Sequence, residues 1–147
     1  MKKIQLLLLG LVTMTGTGTA EENFSPTQIN FFERKIRPVF VKKCYECHSV
    51  KTKAKGGLVL DSRAGVMQGG SSGAVIVPGA PEKSLLIRTI KGLEEDMEMP
   101  PKEADRLSES QIADFERWIR MGAPDPRNRK KSGALAVDWK KAHSHWA

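Results

Sequence analysis

The chain contains only two cysteines, and they stand together as Cys44-Tyr45-Glu46-Cys47-His48. Three residues apart on a helical turn, two thiols point to nearly the same side. Each can then add to one vinyl group along the same edge of a haem, while the next residue sets an imidazole under the iron. C-x-x-C-H accordingly reads as covalent haem attachment, whereas C-x-x-C without the histidine reads as a thiol redox pair. This one turn constrains the fold more than any other feature. A chain that carries it has to close around a large apolar macrocycle.

Three rival readings of the motif are weaker. A thioredoxin-like pair expects a βαβ context, and no such alternation surrounds the segment. A zinc site needs more Cys or His ligands at zinc-finger spacing, and only His143 and His145 remain, near the far end of the chain. Two structural cysteines that happen to flank a histidine are the third.

The amino-terminal residues bear on compartment. Lys2 and Lys3 precede an apolar run from Ile4 to Val12, followed by mostly small residues from Thr13 to Ala20. This is the order of a secretory signal, with Gly18 and Ala20 as the small residues before a cut. The run is far shorter than the roughly 20 apolar residues of a spanning helix, so no stable membrane span is expected in the mature chain. Export to the periplasmic or envelope side of a bacterium is the expectation, and haem attachment to cysteines takes place on that side.

Composition then excludes other classes. With 147 residues, 39% hydrophobic and 28% charged, the chain fits one soluble globular domain with extensions. Its formal charge of +7 rests on 24 Lys+Arg against 17 Asp+Glu; without Lys2 and Lys3 it becomes 22 against 17, or +5. Nucleic-acid binding would want a denser basic face interleaved with aromatics, so no nucleic-acid partner is expected.

A six-coordinate haem needs a second axial ligand, and methionine opposite histidine raises the potential. Met1 and Met14 lie in the leader. Met67 and Met121 fall on helix-like segments, where filling gaps in the core is the better reading. Met97 and Met99 sit in Asp96-Met97-Glu98-Met99-Pro100-Pro101-Lys102. Two prolines stop a helix or strand and stiffen an extended loop. Met99 directly precedes them and is preferred over Met97. The acids around both methionines argue against a buried core stretch.

The rest of the chain reads as mostly α. Ser25-Pro26-Thr27-Gln28 has the form of a capped helix start, and Ile29, Phe32, Ile36 and Phe40 follow as one apolar stripe. Pro38 is expected to kink this helix or end it near Arg37. Ser108-Glu109-Ser110-Gln111 is a second capping box, with Ile112, Phe115, Trp118 and Ile119 as its apolar face and Gly122 and Pro124 as the stop. These first and last helices are expected to pack across one another and to close over the haem. Glycine-rich loops separate them, with short extended pieces at Leu58–Leu60 and Ala74–Val77 and a helix from Pro81 to Ile90. A domain of roughly 100 residues buries little surface alone, and the haem would supply part of the core.

Taken together, these blocks resemble the planctomycete-type cytochrome c domain. The resemblance rests on Phe31-Phe32-Glu33 and Ile36-Arg37-Pro38 before the haem motif, then Lys55-Gly56-Gly57-Leu58, Leu60-Asp61-Ser62-Arg63 and Val77-Pro78-Gly79. It continues through Ser84 to Arg88, Met99 to Lys102, Trp118-Ile119 and Gly122 to Arg127. It implies the class I cytochrome c-like helical fold, haem c bound by thioethers through Cys44 and Cys47, and His48 and Met99 as axial iron ligands. The expected organisation is a signal peptide over 1–20, a cytochrome c domain over 21–123 and a charged linker or tail over 124–147. In many proteins of this type the domain opens a much longer chain, and Asn128 to Gly133 looks like the connector to such a downstream part.

Electron transfer is the leading functional expectation, with a redox partner protein or a fused redox domain as the other party and no catalytic residue of its own. Two alternatives remain: an electron-entry module of a larger oxidoreductase, and a haem sensor or peroxidase whose sixth ligand can be displaced.

Overall fold

The computed structural model describes residues 24–127. The expected signal peptide and most of the expected tail, with His143 and His145, lie outside the described residues. Helices are the regular elements here, and among the described residues no strand forms; one isolated bridge pairs Gly70 with Gly73. Mostly α is therefore the fold class, and no helix among the described residues is long and apolar enough to cross a membrane.

The first helix, α1, runs over 26–44 as α-helical Pro26–Phe31, π-helical Phe32–Ile36, α-helical Arg37–Val39 and π-helical Phe40–Cys44. Its capping box is as expected. The Gln28 N–H donates to Ser25 Oγ (3.2 Å) and the Ser25 N–H to Gln28 Oε1 (2.8 Å). Pro38 does not end the helix. Proline lacks a donor and its ring crowds the carbonyl four residues back. The wider π turn before it, closed by the Arg37 N–H on the Phe32 carbonyl, is the local change of winding that lets the helix continue into Cys44.

Helix α2 is Arg63–Gln68 and α3 is Leu85–Ile90. The single helix expected from Pro81 to Ile90 is in fact a 3-10 turn, Pro81–Lys83, followed by α3, with Ser84 extended between them. Ser84 is fully buried. Its hydroxyl accepts from the Val77 N–H (2.9 Å) and donates to the Ala80 carbonyl (2.9 Å). Such side-chain bonds offer the backbone an alternative to helix. Helix α4, Glu109–Arg120, begins with the second capping box, with the Gln111 N–H donating to Ser108 Oγ at 3.3 Å.

The core sits where α1 crosses α4. The Phe40 ring centroid lies 5.2 Å from that of Phe115 and 5.8 Å from that of Trp118, both edge-on, and Phe32 lies 5.8 Å from Trp118. Edge-to-face aromatic pairs of this kind add about 0.5–1.5 kcal/mol each beyond area burial. Ile36, Leu60, Val66, Ile76, Ile87 and Ile119 complete the same cluster. The pieces expected to be extended at 58–60 and 74–77 form no strand, yet Leu60, Val75 and Ile76 are buried in this core.

The packed chain also runs past the boundary expected at Ala123. Pro124 and Asp125 are fully buried, and the Trp118 indole N–H donates to the Pro124 carbonyl at 2.9 Å. Arg127, the last described residue, has a side chain only 9% exposed. Met67, expected as core filler, is instead 38% exposed on α2.

Candidate functional site

Helix α1 delivers the C-x-x-C-H motif, and the chain goes on turning through it. The Tyr45 N–H donates to the Phe40 carbonyl (3.0 Å), and the Cys47 and His48 N–H groups both donate to the Cys44 carbonyl (3.1 and 2.9 Å). One turn therefore presents Cys44, Cys47 and His48, as the spacing predicts. Both cysteines are free and partly buried. Burial pushes the Cys44 thiol up to about 12, with the neighbouring Cys47 adding to the shift. A thiol of that kind stays protonated at neutral pH, unlike the activated thiolate of a disulfide oxidoreductase.

The loop after the motif folds back on it. The Lys55 N–H donates to the Cys47 carbonyl and the Leu60 N–H to the His48 carbonyl, each at 2.8 Å. Thr52 Oγ1 donates to the Tyr45 carbonyl at 2.8 Å, and the Val50 N–H reaches Asp61 Oδ2 at 3.0 Å. Glycine is needed where this loop meets the next. At Gly57 φ is +66°, and a Cβ on Gly70 would stand 2.7 Å from the Gly56 carbonyl oxygen. That carbonyl accepts from the Ser71 N–H at 2.7 Å.

His48 is half-buried, and its Nδ1 lies 3.1 Å from the Lys55 carbonyl oxygen. A carbonyl only accepts, so Nδ1 carries the proton and the neutral ring has its lone pair on Nε2. Burial lowers the pKa of His48, against the opposing pull of the Lys55 and Leu58 carbonyls. The neutral form, the one that ligates a metal, is favoured. Two free thiols on one turn and an imidazole oriented through Nδ1 form the donor set that haem c requires, so the residues present fit that group.

The methionine loop follows α3. The Met99 N–H donates to the Thr89 carbonyl at 3.2 Å, Arg88 pairs with Glu94 at 2.5 Å, and Arg106 pairs with Glu98. Pro100 is buried, Met97 partly buried and Met99 37% exposed. Met99 borders a cavity of about 450 Å³ together with Ile90, Leu107 and Ile112, which Cys44, Cys47 and His48 do not line. The loop is thus tied to the end of α3, while the motif turn is tied to the 52–61 loop. Among the described residues, no group of three or more His, Cys, Asp and Glu side chains comes together to hold a metal ion.

One cluster beside the motif is absent from the sequence reading. Arg127 donates from Nε to Asp125 Oδ1 (2.9 Å) and from Nη2 to Asp125 Oδ2 (2.5 Å). Its Nη1 donates to the Tyr45 hydroxyl (2.5 Å) and to the Leu60 carbonyl (2.6 Å). Burial works against the charge on Arg127, but Asp125 and Tyr45 outweigh it and the pKa is raised. Burial also raises the pKa of Tyr45, against the pull of Arg127. Spacing held no signal for this cluster. An arginine and an aspartate two residues apart after a helix stop read as solvated chain.

Comparison with known proteins accords with the motif. The Planctomycete cytochrome C family matches residues 44–103, a stretch that takes in Cys44, Cys47, His48, the glycine-rich loops and Met99. No curated protein and no solved structure matches the chain. It is the planctomycete cytochrome C family, with its haem-based electron transfer, that this stretch of the chain resembles.

Proposed function

We propose that the chain is an exported one-electron carrier whose haem is bound covalently at Cys44 and Cys47, with His48 and Met99 as axial ligands. The observation that supports it best is the single turn presenting two free thiols and an imidazole whose Nδ1 is engaged by the Lys55 carbonyl. When bound, the haem supplies an iron that alternates between ferric and ferrous. The protein's part is to hold both ligands still during that change, so that little reorganisation accompanies electron transfer. His48 is fixed through its ring nitrogen and its backbone carbonyl, and Met99 through the bond of its N–H to Thr89. Lys42, Lys51, Lys53 and Lys55 are exposed around the motif, a basic rim suited to an acidic surface on a redox partner or fused redox domain. The proposed organisation places a signal peptide over 1–20, the leader order of Lys2, Lys3 and the Ile4–Val12 run. The haem domain follows, then a linker beyond Arg127.

The chain exported from a host able to mature cytochromes c is expected to keep its haem through denaturation and acidic solvent extraction. Haem that washes out of the polypeptide refutes thioether attachment. In the ferric holoprotein, Met99→Ala is expected to abolish the weak far-red band of thioether-ligated iron and to lower the potential. Met97→Ala is expected to retain both. The reverse pattern moves the ligand to Met97.

A further inference from the structure

Arg127 and Asp125 lie outside the stretch matched by the family, yet Arg127, held by Asp125, donates to Tyr45 within the C-x-x-C-H motif. Tyr45 is the residue directly after Cys44, inside the Cys44–Cys47 interval. Leu60 is the residue whose N–H holds the His48 carbonyl at 2.8 Å. One Arg127 nitrogen, Nη1, donates to both Tyr45 Oη and Leu60 O. The rest of the fork is fixed from behind. Nε and Nη2 are taken by the Asp125 carboxylate, which also accepts from the Arg127 backbone N–H at 3.0 Å. The guanidinium lies 5.1 Å from the Phe32 ring centroid and 5.5 Å from that of Phe40, so α1 holds its flat face. A planar fork with its remaining donors aimed at two acceptors sets both of them in relative position, which an ammonium cannot do.

We propose that Arg127 is a positioning residue for the haem-bearing turn: held by Asp125, it fixes Tyr45 between the two cysteines and, through Leu60, the backbone of His48. The proposal rests on the reading that Cys44, Cys47 and His48 hold the haem. In it the end of the domain sets the orientation of the proximal imidazole, a quantity that the g values of a low-spin ferric centre register.

The test uses the full chain matured with haem. Arg127→Lys keeps the charge and loses the fork, Tyr45→Phe removes one acceptor and keeps the ring, and Lys35→Gln serves as a control in the exposed pair with Asp114. Arg127→Lys is expected to shift the ferric g values and split the low-spin signal into more than one component. Tyr45→Phe shifts them in the same sense by less, and Lys35→Gln leaves them unchanged. Haem-loaded Arg127→Lys and Tyr45→Phe with g values unchanged, even at a lowered thermal midpoint, would show a cluster that only supports the fold and would overturn the proposal. If Arg127→Lys fails to accumulate, the g values of Tyr45→Phe decide alone. An unaltered protein without covalent haem refutes the functional reading first, and the positioning role with it.

Discussion

Export of the Cys44→Ser, Cys47→Ser double variant from a cytochrome c-maturing host is expected to yield a haem-free product without a cooperative thermal transition. The middle of the chain has little regular structure to hold it. Between α1 and α3 the regular structure is one six-residue helix and two three-residue 3-10 turns, and the loops around them turn on Gly57 and Gly70. Such a segment loses much backbone entropy on folding, and its loop hydrogen bonds form no continuous helical or strand ladder. A group that binds only the native state adds its binding free energy to stability, and a tethered one acts at high effective concentration. Serine is nearly isosteric with cysteine, so the change removes the attachment and little else. The check is circular dichroism on heating, beside the haem-loaded parent. A sharp, fully helical melt of the haem-free variant would show that the aromatic crossing of α1 and α4 suffices by itself.

Arg127→Ala is expected to be among the most damaging single substitutions outside the proposed haem ligands. It leaves the Asp125 carboxylate, 1% exposed, without its bidentate partner, and strips the Leu60 carbonyl and the Tyr45 hydroxyl of a donor. Breaking a buried pair from one side costs about 3–5 kcal/mol. For a domain of this size that corresponds to a fall of more than about 10 °C in thermal midpoint. Arg127→Met together with Asp125→Asn is expected to lose less than Arg127→Met alone, because no unpaired charge remains buried. Urea unfolding of the parent, Arg127→Ala, Arg127→Met, Asp125→Asn and the Arg127→Met, Asp125→Asn double variant, all as holoproteins, measures the losses and closes the cycle. A loss within about 1 kcal/mol for Arg127→Ala would mean that the carboxylate finds water or another partner.

Several elements of the fold are written in short stretches of sequence. Both capping boxes are local devices of four residues, and the helix starts at Pro26 and Glu109 follow from them. The stripes on the first and last helices are local as well, and they meet as their spacing implies, through Phe32, Phe40, Phe115 and Trp118. The C-x-x-C-H turn is the extreme case, since the attachment and ligation proposed for it would both rest on five consecutive residues. The match of residues 44–103 to the planctomycete cytochrome C family accords with that reading.

What depends on the pairing of particular polar groups, or on how the packed core draws in a side chain, was out of reach. Pro38 reads as a kink or a stop, and the helix continues because a π turn absorbs the proline while Phe40 on its far side is drawn into the core. Ser84 interrupts an expected helix because its buried hydroxyl meets the backbone of Val77 and Ala80. The carbonyl that orients His48 belongs to Lys55, where no pattern marks it. Arg127 looks like the start of a solvated basic tail, since a charge near the end of a domain is ordinarily exposed. Its carboxylate partner is two residues away, but the tyrosine and the carbonyl that complete its site are 82 and 67 residues away. Periodicity and caps act over one or two helical turns and so can be read from sequence. Pairing of buried polar groups depends on which distant backbone atoms the packed core leaves in need of a donor, and only the tertiary structure decides that.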